Sequence, residues 1–223
     1  VNCITLKYKC LILDHDDTAV KSTPEIHYPS FVEAIKKLRP NEKPISFEDF
    51  VGYCFEPGFH SLCKDIMKFT NNEMQIQQEI WQSYTSSTTP DFYELFPETI
   101  NEFKKRGGIV TVVSHSQKSR IERDYLKHCG FLPDAIFGWE LPEHQRKPYP
   151  YPIQEILRRF NLKESEALML DDLKPGLEMA NICLVDFAAA GWSHSIPEIK
   201  MQMKQQSKYY FETIEEFNRF LFD

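Results

Sequence analysis

The stretch Cys10-Leu11-Ile12-Leu13-Asp14-His15-Asp16-Asp17-Thr18 decides how the rest of the chain is read. Four apolar residues run straight into three aspartates. A short apolar run of this kind, bounded by polar residues, reads as a strand buried on both faces. The strand is expected over residues 7–14, and its carboxyl end delivers Asp14, Asp16 and Asp17 together. Crowding buried carboxylates is costly unless a proton or a cation compensates them. Chemistry is therefore expected at this strand end, with a metal ion as the compensation.

Working outward, the pattern changes at once. Residues 24–87 show helical spacing and little that resembles a strand. Phe31, Ile35 and Leu38 share one face, Phe47, Phe50, Val51 and Cys54 another, and Met74, Ile76, Ile80, Trp81 and Tyr84 a third. Strands and helices then alternate. Helices are expected over 97–106, 119–129, 152–160, 176–181 and 214–222. Strands are expected over 109–113, 135–137, 167–170 and 183–185. Gly107-Gly108 and Gly130 stop two of the helices. Such alternation implies an α/β fold: a Rossmann-like parallel sheet with helices on both faces. The expected organisation is an α/β core domain from 1–20 and 91–223, with 21–90 inserted as an α-helical subdomain.

The 223 residues suffice for one core domain plus such an insert. A net charge of −7 argues against a nucleic-acid partner, which needs a basic face. It leaves room for an anionic small substrate, because a metal and a few local cations can dominate a cleft. No apolar stretch approaches the roughly 18 residues of a membrane span, and residues 1–10 do not read as a secretory leader. The six cysteines, Cys3, Cys10, Cys54, Cys63, Cys129 and Cys183, form no CxxC pair and no zinc cluster. They read as reduced thiols of a cytoplasmic protein with no membrane partner.

The polar residues fall at strand ends. Asp14, Ser114 and Asp171 each terminate a different expected strand. In a parallel sheet all carboxyl ends lie along one edge, where ligands bind in open α/β folds. The topology thus gathers distant residues into one cleft.

Four motifs in order now carry a resemblance. They are the D-x-D-x-T of Asp14 to Thr18, Ser114-His115-Ser116 at the end of a strand, Lys147-Pro148-Tyr149-Pro150, and Leu170-Asp171-Asp172-Leu173-Lys174-Pro175-Gly176. The chain resembles the haloacid dehalogenase-like superfamily of phosphohydrolases, in the phosphoglycolate phosphatase and beta-phosphoglucomutase-like group with a helical cap after the first motif. Asp17 stands where many relatives carry glycine, and no glycine follows the fourth motif around Ala180-Asn181-Ile182-Cys183. The cap histidine of the related mutases would fall at Ile26, with His27 one position further on.

The resemblance implies a Mg2+-dependent phosphatase acting on small phosphorylated metabolites, with phosphoglycolate and sugar phosphates as the leading substrates. Asp14 would be the nucleophile that forms an aspartyl-phosphate, and Asp16 the general acid and base. Ser114 and Lys147 would bind the phosphoryl oxygens. Magnesium would be held by Asp14, the backbone carbonyl of Asp16, Asp172, and Asp171 directly or through water. Asp17 would be a turn residue and Thr18 a buttress. Glu56, His60 and Lys64 are candidates for specificity in the insert, and the stretch 187–192 lines the cleft or, through Trp192, fills the core. The alternatives are a sugar-phosphate mutase, a dehalogenase and a non-catalytic scaffold. Asp16 speaks against the dehalogenase, because a departing halide needs no proton.

Overall fold

In the computed structural model residues 6–223 are described, so Cys3 and the first half of the segment read above for a leader lie outside them. The described chain runs β1 (Cys10–Leu13), then helices α1 (Tyr28–Leu38), α2 (Phe47–Phe55), α3 (Phe59–Ser61) and α4 (Asn71–Ser87). After these come α5 (Phe96–Lys105), β2 (Ile109–Val113), α6 (Lys118–His128), β3 (Ala135–Phe137), α7 (Tyr151–Phe160), β4 (Ala167–Asp171), α8 (Lys174–Ile182), β5 (Asp186–Ala190), α9 (Pro197–Gln206), β6 (Tyr209–Phe211) and α10 (Ile214–Phe222). The chain forms two compact units: one from the chain up to Val20 together with Asp91–Asp223, the other Lys21–Pro90.

In the first unit six strands form one sheet in the order β3-β2-β1-β4-β5-β6, and every neighbouring pair is parallel. Strand β1 lies between β2 and β4, with Leu13 level with Val112 on one side and Leu170 on the other. All four of its residues are fully buried, which is why it reads as an uninterrupted apolar run. The chain winds outward from β1 to β2 and β3, then crosses back to begin β4 on its other side. That reversal is the switch point where open α/β sheets bind ligands.

The covering helices bury stripes at helical spacing: Phe96, Thr99, Ile100 and Phe103 on α5, Ile153 and Ile156 on α7, and Ile214, Phe217 and Leu221 on α10. Gly107 and Gly130 stop α5 and α6 with φ of +90° and +75°. The Lys21–Pro90 unit has its own core of Phe31, Ile35, Phe50, Leu62, Cys63 and Phe69. Its α4 opens on a capping box in which the Thr70 hydroxyl accepts from the Glu73 amide while Glu73 accepts from the Thr70 amide. Among the described residues no helix is long and apolar enough to cross a membrane.

Three expectations shift. The first strand begins at Cys10 rather than residue 7. The strand expected at 183–185 is a turn instead: Cys183 closes α8, Leu184 takes φ +56° and is 82% exposed, and the strand starts at Asp186. Leu184 merely imitated a buried residue, whereas Ala188, Ala189 and Ala190 are buried in β5. Helix α9 and strand β6 are elements that the sequence pattern does not predict. The three residues of β6 are too few for a periodicity signal, and the strand is held by pairing to β5 at Ala188, Ala189 and Ala190.

Phe103 has no exposed surface and lies against the sheet within the main core. Phe103→Ala is expected to cost about 3–5 kcal/mol, read as a lowered urea midpoint with an unchanged slope.

Candidate active site

The site is built from the carboxyl ends of β1, β2 and β4 and the loop preceding α7. The backbone N–H of Asp14 donates to the Leu170 carbonyl at 2.9 Å, which extends the β1–β4 pairing one residue past the end of β1. Asp14 therefore stands beside Asp171, the last residue of β4. Asp14, Asp171 and Asp172 are all buried, and each offers a carboxylate oxygen within 4.8 Å of those of the other two.

Three cation or hydroxyl contacts tie the acids. The Lys147 ammonium, with a side chain 6% exposed, donates to Asp14 Oδ1 at 2.6 Å and Asp171 Oδ2 at 2.7 Å. The Thr18 hydroxyl lies 3.2 Å from both Asp14 Oδ2 and Asp172 Oδ1, and its single proton serves one at a time. The His194 ring donates from Nε2 to Asp172 Oδ2 at 2.6 Å. Asp171 Oδ1 in turn accepts the backbone N–H of Leu173 at 2.9 Å.

Burial and the neighbouring Asp171 push the Asp14 carboxyl up to about 6, with Lys147 acting against them. Burial likewise raises Asp171 to about 6, opposed by Lys147 and reinforced by Asp172. Burial alone would lower the Lys147 ammonium, but the charges of Asp14 and Asp171 win and hold it protonated. For His194 burial also pulls down, and its bond to Asp172 outweighs that, so the imidazole is raised. Protons are therefore held more tightly on Asp14 and Asp171 than on free aspartates. These groups favour the fold below their unfolded range, near 4, and that contribution is lost as pH rises through about 6. A cation among the three oxygens removes the cost.

Asp16 sits on another side of the cluster. Its Oδ2 accepts from Ser116 Oγ at 2.7 Å and Ser114 Oγ at 3.3 Å, and the Ser116 amide donates back to Ser114 Oγ at 3.1 Å. The loop between Asp14 and Val20 folds on itself, with the His15 carbonyl accepting from Ala19 and Val20 and the Asp17 amide donating to Val20. Asp17 takes φ +57°, a left-handed conformation that glycine adopts freely and aspartate tolerates. This explains the substitution at that position. The His15 side chain points into the core, 3.0 Å from Asp124 on α6.

All six residues singled out from the sequence, Asp14, Asp16, Ser114, Lys147, Asp171 and Asp172, thus meet at one sheet edge. Four further participants were not foreseen. Ser116 supplies the shorter bond to Asp16, and only its adjacency to Ser114 hinted at it. His115 donates from Nε2 to the Lys147 carbonyl at 2.7 Å and ties the second motif to the third. Asp124, buried behind His15, has no sequence signal. Neither has His194, because it follows a strand that the hydrophobic pattern places three residues too early. Trp192 packs in the core against Phe96 and Phe217 and donates its indole N–H to the Thr18 carbonyl at 3.0 Å. In the insert, Lys64 is bonded within its own unit to Asn71 Oδ1 at 2.6 Å, while Glu56 and His60 are exposed.

With this geometry in place, comparison with known proteins is decisive for the family. The model of the haloacid dehalogenase-like hydrolases matches residues 11–190. The pyrophosphatase PpaX of Bacillus anthracis is 26% identical over 169 residues, 75% of this chain and 76% of its own length. Among solved structures, a protein of Clostridium difficile assigned as a phosphatase superposes with a TM-score of 0.77 at 19% identity, covering 96% of this chain and 99% of its own. A protein of Lactobacillus delbrueckii assigned as a phosphoglycolate phosphatase gives 0.76 at 16% identity, with coverage of 97% and 99%. The chain belongs to the haloacid dehalogenase-like hydrolase family. Within it the protein is a hydrolase.

Gly176, in the first turn of α8, brings helix backbone against the site: a Cβ there would lie 2.2 Å from Asp171 Oδ2. Alanine ordinarily gains about 1 kcal/mol over glycine inside a helix. Gly176→Ala should instead destabilise the protein by about 1–3 kcal/mol through overpacking, measured by chemical denaturation, and lower turnover because Asp171 must move. A variant as stable and active as the parent would contradict the close approach.

Proposed function

We propose that the protein is a Mg2+-dependent phosphatase of small phosphorylated metabolites, working through an aspartyl-phosphate on Asp14. The observation that carries this is the convergence of three buried carboxylates, Asp14, Asp171 and Asp172, around which the described side chains bring one lysine and one histidine. Three anions against so few cations is a site short of positive charge, and all-oxygen donors suit a hard divalent ion. Asp14, Asp172 and the Asp16 carbonyl would hold magnesium, with Asp171 bound directly or through water. When bound, the ion withdraws charge from a phosphoryl oxygen and relieves repulsion between Asp14 and the substrate.

The chain's own residues divide the rest of the work. An oxygen of Asp14 attacks phosphorus, and the P–O bond to the leaving group breaks. Asp16 gives that oxygen its proton, then takes one from the water that cleaves the aspartyl-phosphate and regenerates the Asp14 carboxylate. Ser114 and Ser116 orient Asp16 through their hydroxyls. Lys147, already bonded to Asp14, stabilises negative charge on the phosphoryl oxygens as the new bond forms, and the single hydroxyl proton of Ser114 would turn from Asp16 to a phosphoryl oxygen when substrate binds, leaving Ser116 on Asp16. The unit Lys21–Pro90 we assign as the cap that selects the substrate. Phosphoglycolate and sugar phosphates head the candidates, and similarity to the pyrophosphatase PpaX adds pyrophosphate to the same panel. A mutase reading has nothing comparable behind it: Ile26 is buried, and the His27 ring accepts the Trp81 indole N–H at 3.0 Å.

Phosphate release from such a panel is expected only with magnesium, and EDTA should abolish it reversibly. Asp14→Asn should reduce turnover to background, and Asp16→Asn by roughly 10²–10⁴-fold, both with unchanged circular dichroism. Full activity in Asp14→Asn would refute the covalent route.

Protons and magnesium compete for Asp14 and Asp171, both raised to about 6. Magnesium affinity, followed by calorimetry without substrate, should weaken by roughly tenfold or more between pH 7.5 and pH 5. An affinity independent of pH would contradict competition between protons and magnesium at these two carboxylates.

A further inference from the structure

The loop after β5 reaches the acid cluster with a side chain that none of the four motifs contains. Strand β5 pairs with β4 so that Ala189 is level with Asp171, and their carboxyl ends open on the same edge. A single turn at Gly191–Ser193 then redirects the chain. Gly191 leaves no room for a side chain, since a Cβ would lie 2.3 Å from the Tyr210 hydroxyl. Trp192 pins the turn by packing on Phe96 and Phe217 and by bonding the Thr18 carbonyl. His194 follows two residues later, its side chain only 10% exposed, and its Nε2 donates to Asp172 Oδ2 at 2.6 Å.

Both oxygens of Asp172 are thereby engaged, Oδ1 facing Thr18 and Oδ2 facing His194. Each carboxylate oxygen keeps a second lone pair, so the two bonds fix the plane of the carboxylate without using up its capacity to bind a cation. Asp172 lies beyond the end of β4, where no ladder bond restrains it. A ligand on a flexible side chain must be ordered when the ion binds, and partners that order it beforehand typically change metal affinity by 10–100-fold.

We propose that His194 is a positioning residue: through its bond to Asp172 Oδ2 it presets that carboxylate as a magnesium ligand. The proposal rests on the metal assignment made above. In this role His194 would act through Asp172, its bonded partner, and not on the ion or the substrate.

The test is a magnesium titration of the substrate-free protein by calorimetry, on the parent, His194→Ala and His194→Gln. Alanine should weaken magnesium binding 10–100-fold. Glutamine, whose amide can still donate, should recover most of it. In parallel, the magnesium concentration for half-maximal phosphate release should rise in His194→Ala, with a much smaller change in kcat at saturating magnesium. Parental affinity in both variants would overturn the role of His194 and leave the metal assignment standing. Equal weakening in both would also overturn it, since loss of the donor would then not be the cause. If His194→Ala does not fold, the glutamine variant decides alone: near-parental affinity supports the role and a full loss overturns it. Absence of magnesium binding by the parent would instead defeat the metal assignment, and this proposal with it.

Discussion

Lys147 reaches from the loop ahead of α7 to bond Asp14 at 2.6 Å and Asp171 at 2.7 Å, in a place almost sealed from water. One ammonium thus joins the ends of two adjacent strands and the third motif. Without it, two carboxylates one strand spacing apart would face each other in a low-dielectric interior, which is where like charges repel most strongly. Even with it, both remain raised to about 6, so a single lysine does not neutralise the cluster. That residual deficit of positive charge is the physical opening for a cation.

The rest of the molecule can be understood as what holds these groups within reach of each other. Placing β1 between β2 and β4 brings Asp14, Ser114 and Asp171 to one edge. Smaller devices then set side chains rather than strands. Gly176 lets α8 approach Asp171, Thr18 stands between Asp14 and Asp172, His115 holds the Lys147 loop, and Trp192 fastens the β5 turn to the loop that follows Asp14. Each is a short-range contact between segments far apart in the chain.

Much of this is legible in the sequence. Buried parallel strands announce themselves as apolar runs, and helices packed on one face show a stripe, so β1, β2, β4, α5, α7 and α10 can be read directly. Acids and a serine at the ends of apolar runs mark the reaction edge, because parallel strands all finish on the same side of the sheet. Legibility fails where these rules lose contrast. Leu184 is apolar yet exposed in a left-handed turn, and it draws the expected strand three residues too early. The residues of β6 are too few to show alternation. His194, Ser116 and Asp124 carry no local signature, because a lone polar residue in a loop or on a helix looks the same whether it meets water or a carboxylate.

The sequence by itself determined the class of fold, the family, and which acids and lysine are the candidates for a site, because those depend on local patterns of hydrophobicity and on motifs a few residues long. The tertiary structure decided the bonds: that Lys147 lies on Asp14 and Asp171, that Asp16 is held by two serines, and that a histidine from the neighbouring strand's loop grips Asp172. Those pairings are set by the sheet register and by the turn after β5. Both are products of packing between distant segments, and distances of 2.6–2.7 Å between charged groups follow only once that packing is complete.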